Sequence, residues 1–337
     1  MSGETNEEEM RAAPRGIFVG EASPGPAARS EGATGAADTL PMVWVNGQRM
    51  ASGAMHISAL DRGFTLADGV FETMLVRHGE IFRARRHVGR LYDGLRVLRL
   101  GLDYFIDSWL EEAALSTDGT LGMDEAAIRL TVSRGPRAGG LTPRGGGDGT
   151  VVITADALPE FPSSLYEHGL SALTASARRD ERALTAGVKT LAYTETIAAI
   201  AQARDDGAEE VIFLDTEGHV SEASASNIFI VSGGTLITPP LSCGVLPGIT
   251  REAIIEVAAT LDIQVIERPV DPGELAGAEE AFLTSSLRGV APLVRVDGRA
   301  IGTGEVGTLT RKLRAAYAEL VESECGSASR RRPYMVR

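Results

Sequence analysis

The sequence predicts an α+β fold in two halves, and three observations carry that prediction. Strand-like runs are joined sometimes by tight turns and sometimes by helices, without the regular strand–helix–strand series of a parallel α/β protein. Hydrophobic residues make up 43% of 337 residues, enough for a substantial core, and the length suits one large domain or two medium ones. An aperiodic stretch with two prolines, DALPEFPSSLYE (156–167), reads as a linker between a smaller first half, 41–155, and a larger second half, 168–323.

Residues 1–40 are rich in Ala, Gly, Pro and Ser and lack any period, the composition of a disordered tail. MVWVNGQRM (42–50) reads as strand, Asn-Gly turn, strand. Strands at 70–76 and 80–83 form a second hairpin about His78-Gly79. Over 87–100, Val88, Leu91, Leu95 and Leu98 fall on one helical face. A second helix spans 107–116, capped by Asp107 or Ser108. Strands at 127–133 and 150–154 flank the glycine-rich 135–149, and long loops of this kind often carry function.

The second half opens with a strand near 170–177 and a helix over 194–205. Strands at 210–215 and 220–231 surround a Thr-Glu-Gly turn. Residues 249–261 form a helix, because Ile254, Val257, Ala258 and Leu261 share a face after Pro247-Gly248. Strands at 264–270, 281–284 and 290–296 and an amphipathic helix at 305–321 complete the half, with 324–337 as a tail.

Acidic residues outnumber basic ones 46 to 33, for a net charge of −13. A phosphate backbone needs a basic face, so nucleic acid is not an expected partner. No apolar run approaches the roughly 20 residues that cross a bilayer, and MSGETNEEEM lacks the apolar stretch of a secretory signal. A cytoplasmic protein without a membrane partner is the expectation. The two cysteines, Cys243 and Cys325, cannot build a disulfide framework. The five histidines are scattered and neither HExxH nor CxxC occurs, so no metal site is expected. GxSxG and the phosphate-binding GxxxxGK are absent as well.

Only two of the 33 basic residues are lysines, Lys189 and Lys312; the other 31 are arginines. Arginine keeps its proton at any working pH and cannot act as a neutral amine. A lysine in such a chain is therefore a candidate for chemistry. Lys312 lies in the charged helical stretch TRKLRAAY and reads as solvated. Lys189 lies in LTAGVKTLAYTETIAA, where small and apolar neighbours favour desolvation and a lowered pKa. Two further features fit it: Glu222 in VSEASASNIFIV, and LPGITRE (246–252), where a helix start offers free N–H groups to a phosphate. An amine, a carboxylate and a phosphate cradle are the parts needed to hold pyridoxal 5'-phosphate.

With these residues in view, the sequence resembles the class IV (fold type IV) pyridoxal-phosphate aminotransferases. That family includes branched-chain aminotransferases, D-amino acid aminotransferases and aminodeoxychorismate lyases. The motifs are DRGFTLADGVFET (61–73), HVGRLYDGLRVL (87–98), VKTLAY (188–193), EEVIFLDTEGHVSEASASNIFIV (209–231), LITPPLSCGVLPGITRE (236–252) and AFLTSSLRGVAPLVRVDG (281–298). The resemblance implies a small N-terminal α/β domain, a larger C-terminal mixed-sheet domain, an active site between them, and a homodimer. It implies Lys189 as the Schiff-base lysine and proton shuttle, and Glu222 as partner of the pyridine nitrogen. Arg90, Ile249, Thr250 and Ser286 would hold the phosphate, and Leu246 would pack on the ring. Tyr193 is either a contact of the cofactor's phenolic oxygen or a core aromatic at a helix start. Phe71 and Thr73 would line the substrate pocket, with Phe71 alternatively a strand core residue. Asn227 is expected only to shape a turn.

The resemblance leaves two reactions open. A transaminase would pass the amino group of a small amino acid to a 2-oxo acid. An aminodeoxychorismate lyase would form 4-aminobenzoate and pyruvate on the same cofactor. The segment 61–73 lacks the HYG-x-x-VFEG pattern of typical branched-chain enzymes. Phe71 stands where the D-amino acid enzymes have a tyrosine, and SRGPRAGGLTP (133–143) holds no histidine. Arg137, or Arg134 in its place, is the candidate for the substrate carboxylate.

Overall fold

The computed structural model describes residues 41–51, 57–102, 104, 106–119, 122–136, 140–143 and 149–326. The expected tail at 1–40 and all but the first three residues of the one at 324–337 lie outside them. In the first half, β1 (Met42–Val45), β2 (Gln48–Arg49), β3 (Gly69–Arg77), β4 (Glu80–Ile81), β5 (Glu125–Ser133) and β6 (Thr150–Ala157) form a sheet of order β2-β1-β6-β5-β3-β4. Every pair in it is antiparallel. Helices α1 (Arg62–Leu66), α2 (Ala84–Val97) and α3 (Asp107–Gly119) accompany it.

The second half adds α4 (Ser163–His168), β7 (Leu170–Arg179), α5 (Thr194–Asp205), β8 (Glu210–Asp215), β9 (Val220–Ala223), β10 (Asn227–Ser232), β11 (Thr235–Thr238), α6 (Ile249–Thr260), β12 (Val265–Glu267), α7 (Pro272–Ala276), β13 (Glu280–Ser285), β14 (Gly289–Val296), β15 (Arg299–Ala300) and α8 (Thr308–Cys325). Its sheet runs β12-β11-β10-β13-β14-β7-β8-β9, with β15 on β14. This sheet is mixed: β11/β12, β14/β7 and β7/β8 are parallel and the other pairs antiparallel.

The sequence periods explain most elements. On β5 the even positions Ala126, Ile128, Leu130 and Val132 enter the first core, where Val88, Leu91 and Leu95 of α2 meet them. Three clusters pack on the second half's sheet, a small one under α5 among them, and the stacked pair Phe229–Phe282 (centroids 5.1 Å apart) lies in the one under α6 and α8. Asp61 caps α1 through Gly63 N–H at 2.7 Å and accepts hydroxyl bonds from Ser133 and Thr150, both at 2.6 Å. Glu280 caps α8 through Leu309 and Thr310 N–H.

Several boundaries differ from expectation. The 220–231 strand is two strands, because Ala223 N–H bonds Ser226 C=O and turns the chain at its small residues. The linker 156–167 contains α4, and α1 and α7 also escaped the period; each of the three spans one or two turns, too short for a helical pattern to register. Helix α2 begins three residues before 87, after Arg83 in a left-handed conformation without a side-chain cap. Arg83 is held instead by Glu256 of α6 and Glu324 of α8, while Arg86 pairs with Glu252 and Arg77 with Glu322. These ion pairs fasten the first half onto the second.

Both rings of the Phe229–Phe282 pair are fully buried. Phe229→Ala should lower stability by about 3–5 kcal/mol, read from denaturant unfolding curves. A loss below about 1 kcal/mol would contradict the burial of this ring in a packed core.

Candidate active site

A cavity of about 560 Å³ lies between the halves. Strand parity builds its first wall. Val70, Met74 and Val76 of β3 point into the first core, so Phe71 and Thr73 point the other way, into the cavity. On β5 the odd positions share that face, and the register sets Arg129 opposite Thr73 and Thr131 opposite Phe71. The Arg129 guanidinium lies 3.7 Å from the Phe71 ring centroid and makes no ion pair with a carboxylate among the described residues.

The opposite wall begins at Lys189. The segment 189–191 leaves the second half and docks on the start of β3: Phe71 N–H donates to Lys189 C=O and Leu191 N–H to Gly69 C=O, both at 3.0 Å. A side chain on Gly69 would run into Val132 C=O and Leu191, so glycine is what permits this approach. Lys189 Nζ sits 4.5 Å from the Phe71 centroid and donates to Tyr193 Oη at 3.3 Å. Burial lowers the amine's pKa to about 8; Glu72 and Glu222 resist the shift, and Arg90 and Arg129 add to it. Burial, then the Glu222 charge, raises the pKa of Tyr193, so its phenol stays protonated.

Glu222 comes from β9. Its Oε2 accepts Leu246 N–H at 2.9 Å, which ties it to the loop before α6. Burial raises its pKa, opposed by that hydrogen bond and by Arg179, Lys189 and Arg90. Asn227, at the start of β10, does more than shape a turn: its Nδ2 donates to Leu246 C=O at 2.8 Å, and its Oδ1 fills the space a Cβ on Gly248 would need.

Gly248 is the N-cap of α6 and supplies no side-chain cap, so the first N–H groups of the helix face the cavity beside Ile249 and Thr250. Arg90 reaches the same end from α2, donating to Pro247 C=O at 2.8 Å. Its other nitrogens grip Glu72 in a two-point pair at 2.8 and 2.7 Å. His87 Nδ1 lies 2.7 Å from the same carboxylate. Burial alone would raise the Glu72 pKa, but the bonds to Arg90 and His87 outweigh it and hold the carboxyl near 2.

The structure thus brings Phe71, Thr73, Arg90, Lys189, Tyr193, Glu222, Leu246, Ile249, Thr250 and Ser286 to one cavity. Arg137 lies outside the described residues. Arg134 is not available as its substitute. Its guanidinium binds Asp68 through two nitrogens and the carbonyls of Leu98 and Arg99, away from the cavity. Arg62 completes that cluster on Asp68 at 2.8 Å. Sequence reasoning missed Arg129 and Glu72. The alternation of AAIRLTV carried the signal for Arg129, since its even positions are apolar and its odd ones face the other side.

The residues present suit the expected cofactor. An uncapped helix start too tight for a Cβ at Gly248, with Arg90 and Ser286 beside it, fits a phosphate. A buried carboxylate fits a protonated ring nitrogen, and an amine with a lowered pKa fits an aldehyde.

Comparison with known proteins gives concordant results. Residues 69–296 match the family described as amino-transferase class IV. A putative branched-chain-amino-acid aminotransferase of Methanocaldococcus jannaschii is 34% identical over 279 residues, 82% of this chain and 96% of that protein. The branched-chain aminotransferase of the thermophilic archaeon Thermoproteus uzoniensis, solved with norvaline, superposes with TM-score 0.76 at 31% identity, covering 85% of this chain and 96% of that one. Another branched-chain amino acid aminotransferase, solved with pyridoxamine 5'-phosphate, superposes with TM-score 0.78 at 27% identity, covering 85% and 95%. The 4-amino-4-deoxychorismate lyase of Pseudomonas aeruginosa superposes with TM-score 0.71 at 31% identity, covering 84% and 99%.

The lowered pKa makes a chemical prediction. Reductive methylation of the cofactor-free protein, followed by peptide mass spectrometry, should give Lys189 a labelling midpoint near pH 8. The neutral amine is the reactive form and is populated above its pKa. A midpoint in the ordinary lysine range would contradict the desolvated setting.

Proposed function

The chain belongs to the amino-transferase class IV family and is a pyridoxal-phosphate transaminase; from that premise we propose that it moves the amino group of a small amino acid to a 2-oxo acid. The observation that carries this reading is the grouping of Lys189, Glu222 and the unpaired Arg129 on one cavity with the start of α6. When bound, the cofactor supplies an aldehyde for amines and a ring that delocalises the electron pair left when a Cα proton departs.

The chain's own residues do the rest. Arg90, Ser286 and the N–H groups of Ile249 and Thr250 hold the phosphate. Glu72 keeps the Arg90 guanidinium turned toward the α6 start. Glu222 holds the ring nitrogen's proton, and Leu246 packs on the ring. Lys189, with an amine pKa of about 8, is neutral often enough near neutral pH to take the Cα proton and basic enough to return it. Tyr193 orients that amine by their shared hydrogen bond. Phe71 and Thr73 shape the substrate space, and Arg129 receives a substrate carboxylate in place of the Arg137 expected from sequence. Its guanidinium, held on the Phe71 ring without a carboxylate partner among the described residues, is open to an anion.

The branched-chain names of the relatives agree with the apolar Phe71, Leu191 and Leu246 on the wall. The substrates are thus a small apolar amino acid and a 2-oxo acid. A second copy of the chain covers Phe64, Leu141, Leu184 and Ile197, apolar side chains 64–93% exposed. The working form is a homodimer in the cytoplasm, without nucleic acid or membrane partners. No described helix is long and apolar enough to cross a membrane.

A panel of L- and D-amino acids with 2-oxoglutarate tests the reaction, read as keto acid and glutamate formed. Amino-group transfer is expected, and Arg129→Met should raise KM about ten- to a hundredfold with a smaller change in kcat. Pyruvate and 4-aminobenzoate released from aminodeoxychorismate, with no transfer to any 2-oxo acid, would replace transaminase by lyase. Sedimentation should give twice the 35.5 kDa chain mass, and a monomer at working concentration would refute the dimer.

A further inference from the structure

A buried arginine donor beside Glu222 has no hydrogen bond among the described residues. Arg179, near the end of β7, stacks its guanidinium 3.9 Å from the Phe213 ring centroid and donates from Nη2 to Thr196 Oγ1 at 2.9 Å. Its Nη1 lies 3.6 Å from Glu195 Oε2. Phe213 is fully buried and Thr196 nearly so, so the plane of the guanidinium is set. What is left is Nε–H, buried and without a hydrogen bond. It faces Glu222 Oε1 at 3.7 Å, beyond hydrogen-bond length. Glu222 uses its other oxygen on Leu246 N–H, so Oε1 is the half of the carboxylate that remains open.

We propose that Arg179 is a positioning residue acting through Glu222: a fixed cation whose charge keeps the Glu222 side chain an oriented carboxylate at the cavity floor. An unpartnered buried donor is costly, and here it is held by stacking and by Thr196 at a distance where it attracts Glu222 without capturing Oε1. At this distance both lone-pair directions of Oε1 stay open to a further donor. The arrangement leaves Oε1 charged and free, and this inference rests on Glu222 facing the ring nitrogen.

The other groups that act on Glu222 are Lys189 and Tyr193 from the β7–α5 connection, Arg90 from α2 and the Leu246 N–H. Lys189 loses its proton with an apparent pKa of about 8 and Arg90 is already gripped by Glu72. Arg179, shared with the more exposed Glu195, is thus the permanent cation whose Nε faces this carboxylate. Without it, burial acts with less opposition and Glu222 takes up a proton at higher pH. A protonated Glu222 cannot hold the ring nitrogen's proton, so activity falls on the acid side and returns as pH rises.

The test compares the full-chain holoenzyme with Arg179→Met, which keeps the stack on Phe213, Arg179→Lys, which keeps the charge, and both in a Glu222→Gln background. The acid limb of the kcat/KM profile should move up by about 1–3 pH units in Arg179→Met and return most of the way in Arg179→Lys. Infrared difference spectra should show a protonated-carboxyl band at neutral pH in Arg179→Met that Glu222→Gln removes. In the Glu222→Gln background, Arg179→Met should change residual kcat less than about twofold, as expected when one residue acts through the other. An unmoved acid limb, or an equal loss with and without Glu222, overturns the proposal. Absence of amino-group transfer in the parent enzyme would instead overturn the transaminase reading.

Discussion

The site depends on a single short backbone pairing between the halves. Phe71 N–H to Lys189 C=O and Leu191 N–H to Gly69 C=O turn the lysine-bearing segment into a fragment of strand on the first sheet. β4 pairs only with Val76 and Arg77, so the beginning of β3 has an open edge, and 189–191 occupies it. This pairing sets the depth of Lys189 in the cavity and brings it over Phe71. It also places an amine that belongs to the second half against a wall that belongs to the first. The ion pairs of Arg77, Arg83 and Arg86 with α6 and α8 hold the same two bodies from the far side.

Charge in the interior follows a consistent plan. Two inner carboxylates, one beside the cavity and one away from it, are matched with arginine through geometry that a lysine could not supply. Glu72 receives two parallel bonds from Arg90, and Asp68 receives Arg134 by two nitrogens and Arg62 by one. Glu222 and Arg129 depart from that plan. Glu222 has an arginine near but not hydrogen-bonded, and Arg129 has an aromatic ring and no carboxylate among the described residues. Incomplete pairing at the cavity is what leaves a site able to bind charged ligands.

Much of this was legible in the chain. The scarcity of lysine left two candidates, and the small and apolar neighbours of Lys189 singled it out over Lys312 in its charged helix. Long periodic elements such as α2 and α6 and the hairpin at Asn46-Gly47 were also legible. Short elements were not, since α1, α4 and α7 span too few residues for a period to emerge. The start of α2 was hidden for another reason: Arg83 carries no capping side chain and is fixed by carboxylates 173 and 241 positions away. Arg134 and Arg129 illustrate the same limit. In sequence both are arginines flanked by small or apolar residues; only the fold ties Arg134 to Asp68 and leaves Arg129 facing the cavity.

By itself the sequence determined the alternation that gives each strand its two faces, the helix starts marked by glycine and proline, and the presence of an amine, a carboxylate and a glycine-led helix start. Those are local properties, set by backbone sterics and side-chain chemistry within a few residues. The tertiary structure decided which charges stay unpaired, how far the Lys189 pKa falls, and which arginine faces the cavity. Each depends on groups distant in the chain brought within a few ångströms, where burial and Coulomb terms outweigh any local preference.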